Sequence, residues 1–341
     1  MKSKIKFGVF TDLHVDIMQD TEERLEEFIR TAREENVDFI IQLGDFCYPD
    51  EGRKCICKPE NLPINLANAL SHPTYASKER IRALFGGFEK PAYHVLGNHD
   101  CDMCSKRQVL DYHGVKNDGY YSFDSGNFHF VVLDANYFME DDEYFSYEHG
   151  NYFDKTPGKI RTLPYLPPSQ LEWLSRDLDS TDKPTVIFSH QSLRANAPRA
   201  ILNADAFRSA IKNRRSRVVA CFSGHTHLDG VRMEDGVWYM HVNSMSNHWL
   251  GEEYVCLGRY GAEVDEKYPD IRHVAPYSKP LFAIMELDEK GVNIKGRYAE
   301  FVGKTPDDLR YYDQKRGREL IELGEPKATA KIENRYLAFK A

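Results

Sequence analysis

Five short stretches of this 341-residue chain crowd metal-ligating side chains together: Asp12-Leu13-His14, Gly44-Asp45, Gly97-Asn98-His99-Asp100, His190, and Gly224-His225-Thr226-His227. As ligands they offer Asp12, His14, Asp45, Asn98, His190, His225 and His227, with His99 and Asp100 in addition. Carboxylate oxygen and imidazole nitrogen without thiolate suit Mn, Fe or Zn, and the number suffices for two ions. A carboxylate shared by two cations about 3.5–4 Å apart lets them clamp a hydroxide for attack on phosphorus. Asp45 is the natural bridge, a single carboxylate beside a glycine that permits close approach.

Such residues act together only if the elements before them end in one place. Ile5 to Phe10 reads as a buried strand. Leu25, Phe28, Ile29 and Ala32 then mark one helical face, capped by Asp20 or Thr21, and Phe39 to Leu43 is a strand covered on both sides. That is a βαβ unit. Ala92–Leu96, Thr185–Phe188, Val218–Phe222 and Val237–Val242 are further buried strands. Lys78–Phe85, Ser105–Tyr112 and a stretch capped by Ser169 read as helices. Hairpins are expected over 120–133, across Ser125-Gly126, and over 281–297. Every motif follows a strand, and ligands in open α/β sheets bind beyond the carboxyl ends of strands. The layout predicts an α/β fold, a two-sheet β-sandwich flanked by helices in four αββα layers.

The ordered set DLH, GD, GNHD, H and GHTH resembles the calcineurin-like metallophosphoesterase superfamily over roughly residues 5–248. Each motif alone is weak; five in order, each after a strand, are a strong signal. The resemblance implies one metal held by Asp12, His14, Asp45 and His227, and a second held by Asp45, Asn98, His190 and His225. It implies that His99 stabilises the transferring phosphoryl group and protonates the leaving oxygen, with Asp100 behind it, orienting His99 or a ligand. Metals that lower the pKa of bound water toward ~7 supply the nucleophile.

Phe46-Cys47-Tyr48 after the second motif and Asp100 closing the third depart from the protein Ser/Thr phosphatase pattern. Tyr48 stands where purple acid phosphatases carry an iron-bound tyrosinate, but His14 would fill the same coordination position and is the favoured ligand. The pattern most resembles the branch acting on nucleotides and small phosphodiesters. A phosphomonoesterase of acid-phosphatase type is the alternative. A non-catalytic scaffold of the same fold is a third reading, disfavoured because every ligand position is filled.

The remaining residues take plainer readings. His94, His129 and His241 lie in strands and read as satisfied core histidines; His72, His113, His149 and His273 read as surface or loop residues. Cys55-x-Cys57 and Cys101-x-x-Cys104 are oddly spaced for a four-thiolate zinc site, so separate thiols are expected. Asp134 reads as a strand-end cap or as support for a ligand, and Asn243, His248 and Trp249 as pocket wall. The stretch 136–168 reads as an irregular insert in a domain spanning 1–303, with 304–341 as a C-terminal extension. Its seven aromatics between Tyr137 and Phe153 would either face substrate or pack the loop down, and its acids would favour a substrate with little charge beyond the reacting phosphate.

Composition sets the outer limits. Apolar residues at 41% and charged residues at 29% are globular, and no apolar run is long enough to span a membrane. A net charge of −8 argues against coating long nucleic acid, leaving a small phosphorylated substrate, with a nucleotide among the candidates, as the expected partner. Seven cysteines and no apolar leader suit a reducing, cytoplasmic setting. Oligomeric state is not legible.

Overall fold

Strand-length apolar runs become two six-stranded sheets in a computed structural model, which describes residues 4–15, 17–46, 73–102, 104–153 and 161–340. β1 (Ile5–Phe10), β2 (Phe39–Gln42) and β3 (Ala92–His94) run parallel in the first sheet. In the second, β4 (Tyr121–Ser125) and β5 (Phe128–Val132) form the expected hairpin. A small hairpin outside both sheets follows, β6 (Tyr137–Glu140) and β7 (Glu143–Ser146). β8 (Thr185–Ser189), β9 (Val218–Ser223), β10 (Gly230–Glu234) and β11 (Val237–His241) complete the second sheet in the order β10-β11-β9-β8-β5-β4, with β5, β8, β9 and β11 parallel. After a short pair, β12 (Asn247–Trp249) and β13 (Val274–Pro276), with α6 (Ala262–Lys267) between them in sequence, the chain returns to the first sheet. There β14 (Ala283–Asp288), β15 (Gly291–Lys295) and β16 (Arg335–Ala338) close the order β16-β15-β14-β1-β2-β3.

Aromatic side chains join the two sheets. Phe7 of β1 stacks on Phe39 of β2 at 4.9 Å and meets Phe130, Phe188 and Phe222 of the facing sheet edge-on at 5.8–6.4 Å. Edge-to-face pairs at such spacings add about 0.5–1.5 kcal/mol each beyond burial. The outer face of the first sheet is covered by α1 (Thr21–Glu34) and α2 (Pro73–Gly86), whose Phe28 and Phe85 hold Phe10. The far side of the second sheet carries α4 (Pro168–Asp179) and α5 (Ala204–Ile211), packing Leu174, Leu178 and Phe207 against Ile187 and Tyr239. The αββα sandwich is therefore present. Among the described residues, no helix is long and apolar enough to cross a membrane.

Several local expectations change. Asp20 does not cap α1 with its side chain; its carboxylate instead takes the Nε–H of Arg24, whose buried guanidinium also reaches the Tyr277 carbonyl. α4 starts at Pro168 rather than being capped by Ser169, since proline's fixed φ suits a first turn. α3 (Lys106–His113) has the Ser105–Gln108 capping box and stops at Gly114 in the left-handed region. His113 is not a surface residue: its ring lies tilted against that of His94, with centres 4.3 Å apart. Burial pushes the His94 imidazole down to about 3. His129 is satisfied on both nitrogens, by Asp124 and Asp177. Asp134, at the end of β5, takes the Asn136 amide and Lys106 Nζ, whereas Asn243, expected in the pocket wall, donates instead to the Thr329 and Lys331 carbonyls. Cys101 is a buried thiol and Cys104 is half-buried; Tyr48, Cys55, Cys57 and His72 lie outside the described residues.

The insert is less irregular than its sequence. Asp141 and Asp142 both take positive φ, the turn that closes a two-residue hairpin between β6 and β7. Phe138, Tyr147 and Tyr152 then form a small core with Leu96, Val109 and Leu110. Residues beyond 304 supply α7 (Lys315–Glu322) and the edge strand β16, and they bury Ala330, Ile332 and Leu337 in the central core. Arg335 chelates buried Asp229 with two nitrogens, and Arg194 pairs with Glu325. A chain ending at 303 would expose that core face and leave Asp229 and Arg194 without these partners. We expect the truncated protein to lose its cooperative melting transition by circular dichroism; a transition like that of the full chain would show 304–341 to be dispensable.

Candidate metal centre

Parallel strands with covered faces end on one edge of the sandwich, and the five motifs emerge there. Asp12 and His14 follow β1, Asp45 follows β2 and Asn98 follows β3. From the other sheet, His190 follows β8, and His225 and His227 follow β9. Asp12, His14 and His227 form one group, and Asp45, His190 and His225 another, each with ligand atoms within 4.8 Å of one another. Asp45 Oδ2 lies between them, 3.1 Å from His190 Nε2 and 3.9 Å from His14 Nε2. Asn98 lines the same cavity, and its Oδ1 is buried with no hydrogen-bond partner among the described residues.

The backbone is bent to bring these atoms in. Asp12, His14, Asp45, His225 and His227 all have φ between 51° and 66°, a left-handed conformation that non-glycine residues adopt at a cost of order 1–3 kcal/mol each. Strain so concentrated persists only where surrounding bonds over-determine it. The Asp12 amide donates to the Gly44 carbonyl, the His14 amide to that of Asp45, and the His225 amide to Asp12 Oδ2. Two glycines make the approach possible. A Cβ on Gly97 would collide with the backbone nitrogen and Oδ1 of Asp45, and one on Gly224 with Thr11 Oγ1 and Asp12 Oδ2.

The donor set fits cations. His190 Nδ1 donates to the Leu43 carbonyl and His227 Nδ1 to that of Asn247, so each ring turns Nε2 inward. A backbone carbonyl on the far nitrogen is the usual arrangement behind a metal-bound imidazole. His14 and His227 aim Nε2 at each other across 3.2 Å, beside Asp12 Oδ1. Lone pairs and carboxylate oxygens converging in a buried site repel unless a proton or metal ion sits among them. Burial opposes charge on Asp12 and Asp45, yet the facing imidazoles hold both carboxyls below their ordinary range. Burial pushes His14 down to about 3, whereas on His190 the Asp45 carboxylate outweighs burial and pushes it up to about 9.

Residues 5–229 match the calcineurin-like phosphoesterase family, well over half of the chain. The chain belongs to that family. No curated protein is matched at the level of sequence. Among solved structures, a dimetal phosphatase from Danio rerio is similar at 18% identity, covering 88% of this chain and 99% of its own, with a TM-score of 0.59. GAP50, the anchor in the inner membrane complex of Plasmodium, is similar at 14% identity over 96% of each chain, with a TM-score of 0.46. At 18% identity the likeness to the dimetal phosphatase concerns the fold alone.

In this calcineurin-like phosphoesterase, the carboxylate at His99 Nδ1 is that of Asp102, at 2.8 Å, not of Asp100. Asp100 instead accepts from the backbone amides of Gly97, Asp45 and Phe46, fixing the turn that carries Asp45. Of the two roles expected for Asp100, the one these bonds serve is support of a ligand. Asp102 is wholly buried, and burial raises its carboxyl against the pull of His99 and of the Tyr152 hydroxyl, which donates to Oδ1. Tyr152 also accepts from Asn98 Nδ2 at 3.2 Å. Asp102 and Tyr152 are the site residues that sequence reading missed. The 99/102 spacing was the available signal, since residues three apart eclipse on a 3₁₀ turn such as His99–Cys101.

A cavity of about 730 Å³ opens over both groups. His99 and Phe153 share its wall with ring centres 5.9 Å apart, and His99 keeps 22% of its side chain exposed. His273 and Trp249 also line it.

Gly97→Ala should lower the melting temperature, with overpacking costing about 1–3 kcal/mol, and should abolish any rise in melting temperature on Mn addition. Gly86→Ala, where an added methyl meets open space, is the control. A Gly97→Ala protein as stable and as metal-responsive as wild type would contradict the close-approach account.

Proposed function

We propose that this chain hydrolyses a small phosphodiester or nucleotide at a two-cation centre, with His99 as the acid that protonates the leaving oxygen. The observation that carries the reading is the pair of ligand groups joined by Asp45 Oδ2, with a cavity-facing histidine beside them. Family membership supports phosphoester hydrolysis in general terms. Asp12, His14, Asp45 and His227 would hold one ion, and Asp45, Asn98, His190 and His225 the other. Mn, Fe or Zn bound there would lower the pKa of water and neutralise charge on phosphoryl oxygens.

The chain's own residues account for the rest. Asp102 accepts from His99 Nδ1 and fixes the ring's tautomer and direction, which leaves Nε2 to pass a proton to the departing oxygen. Tyr152 orders that pair through Asp102 Oδ1, so the insert bears on catalysis by positioning. The cavity volume exceeds what a phosphoryl group alone needs and suits a drug-sized leaving group as well, which favours a diester over a bare monoester. Phe153 offers that leaving group an aromatic wall. The scaffold reading has no such observation behind it.

His99→Ala should retain metal and lose about 10²–10⁴-fold in rate on an alkyl phosphodiester. On a nitrophenyl diester, whose leaving group needs no proton, the loss should shrink. Asp102→Asn should show the same pattern with smaller losses. Equal losses on both esters would remove the acid role from His99, and a Mn-loaded wild type inert toward every phosphoester would favour the scaffold.

A further inference from the structure

A second cavity, of about 340 Å³, adjoins the first and shares Arg199, His225, Trp249 and Arg316 with it. Arg199 comes from the segment after β8 and Arg316 from α7 in the C-terminal part of the chain. Among the described residues, neither guanidinium forms an ion pair or side-chain hydrogen bond. They lie near enough for their charges to repel, and Arg199 is an exposed residue. Arg199 is held with φ at 52°, so its backbone too is strained into place.

The wall of this cavity carries unspent polar atoms. Thr226 Oγ1 and His248 Nε2 are buried with no hydrogen-bond partner among the described residues, in side chains 8% and 2% exposed. Lys315 adds a third cation, and Glu253 and Glu319 are the acids on the same walls, leaving one net positive charge. Two unpaired guanidiniums beside a hydroxyl donor are the chemistry that grips a phosphate, because planar N–H forks match its oxygens. Nothing else in the described residues uses these groups.

We propose that this cavity is a subsite for a second phosphate of the substrate, held by Arg199 and Arg316 while the reacting phosphoester sits among the metal ligands. The proposal rests on the phosphoesterase reading and narrows it to substrates with two phosphates. It also revises the expectation of a substrate with little additional charge. Of the acids in the insert, Glu140 is tied up by Arg161, whereas the arginines stand at the cavity.

The test compares thymidine 5′-(4-nitrophenyl phosphate) with the same ester bearing a 3′-phosphate, using Mn-loaded full chain. The 3′-phosphate should lower KM about tenfold or more, the worth of a charge-assisted contact. Arg199→Gln and Arg316→Gln should each erase most of that advantage, and Arg316→Lys should keep part of it; thermal melts check that each variant is folded. Equal KM for the two esters, or an advantage that survives both glutamine substitutions, would overturn the subsite and leave the phosphodiesterase reading standing. If neither ester is hydrolysed, that reading fails instead, and the subsite is judged by calorimetry of inorganic pyrophosphate with EDTA-stripped protein. Binding lost in the double glutamine variant supports it there; absent or unchanged binding overturns it.

Discussion

Two buried carboxylates, Asp12 and Asp45, sit side by side with four imidazoles where the two sheets of the sandwich come together. Charges of that kind are costly to remove from water, and the facing histidines compensate only if protons or cations lie between the lone pairs. Much of the surrounding structure follows from this. Five residues accept left-handed backbone to bring ligands inward, and Gly97 and Gly224 give up side chains so that Asp45 and Asp12 can approach. Asp100 spends its carboxylate on three backbone amides to hold the Asp45 turn. A fold stabilised by apolar packing between sheets supplies the rigidity, with Phe7 bridging the layers directly beneath the site's first strand end.

The parts of this arrangement nearest the strands were the most legible. A continuous apolar run followed by Asp, His or Asn gives both the element and the residue it delivers, so the sandwich and the ligand types could be read directly. Residues in tight turns could not. Asp100 and Asp102 are equally close to His99 in sequence, and only the three-residue repeat of the 3₁₀ turn decides which one faces the ring. His113 closes a helix whose polar residues suggest exposure, yet its ring turns inward onto His94. β6, β7 and β16 are four residues each, too short to show a period, and β16 buries only Leu337. Tyr152 was visible as one aromatic among seven, and nothing in its neighbours marks it as the one that reaches Asp102.

The insert and the C-terminal segment flank the site and contribute in different ways. The insert packs Phe138, Tyr147 and Tyr152 into a small core of its own and extends one hydroxyl to the Asp102–His99 pair. Its aromatics therefore divide between packing and lining, with Phe153 on the cavity side. The C-terminal segment brings α7 beside the candidate metal groups and then fills the edge of the first sheet. On the proposed reading, substrate selection would depend on what these two segments present, since the candidate metal ligands take up the strand ends.

The central claim is that the two ligand groups hold two cations through Asp45. Elemental analysis of protein purified, stripped and reloaded with Mn tests it most directly, with Asp45→Asn alongside. Two ions per wild-type chain and fewer than one in the variant are expected, because Asp45 serves both groups. Wild-type protein that retains no metal after reloading, or a variant that keeps both ions, would contradict the account.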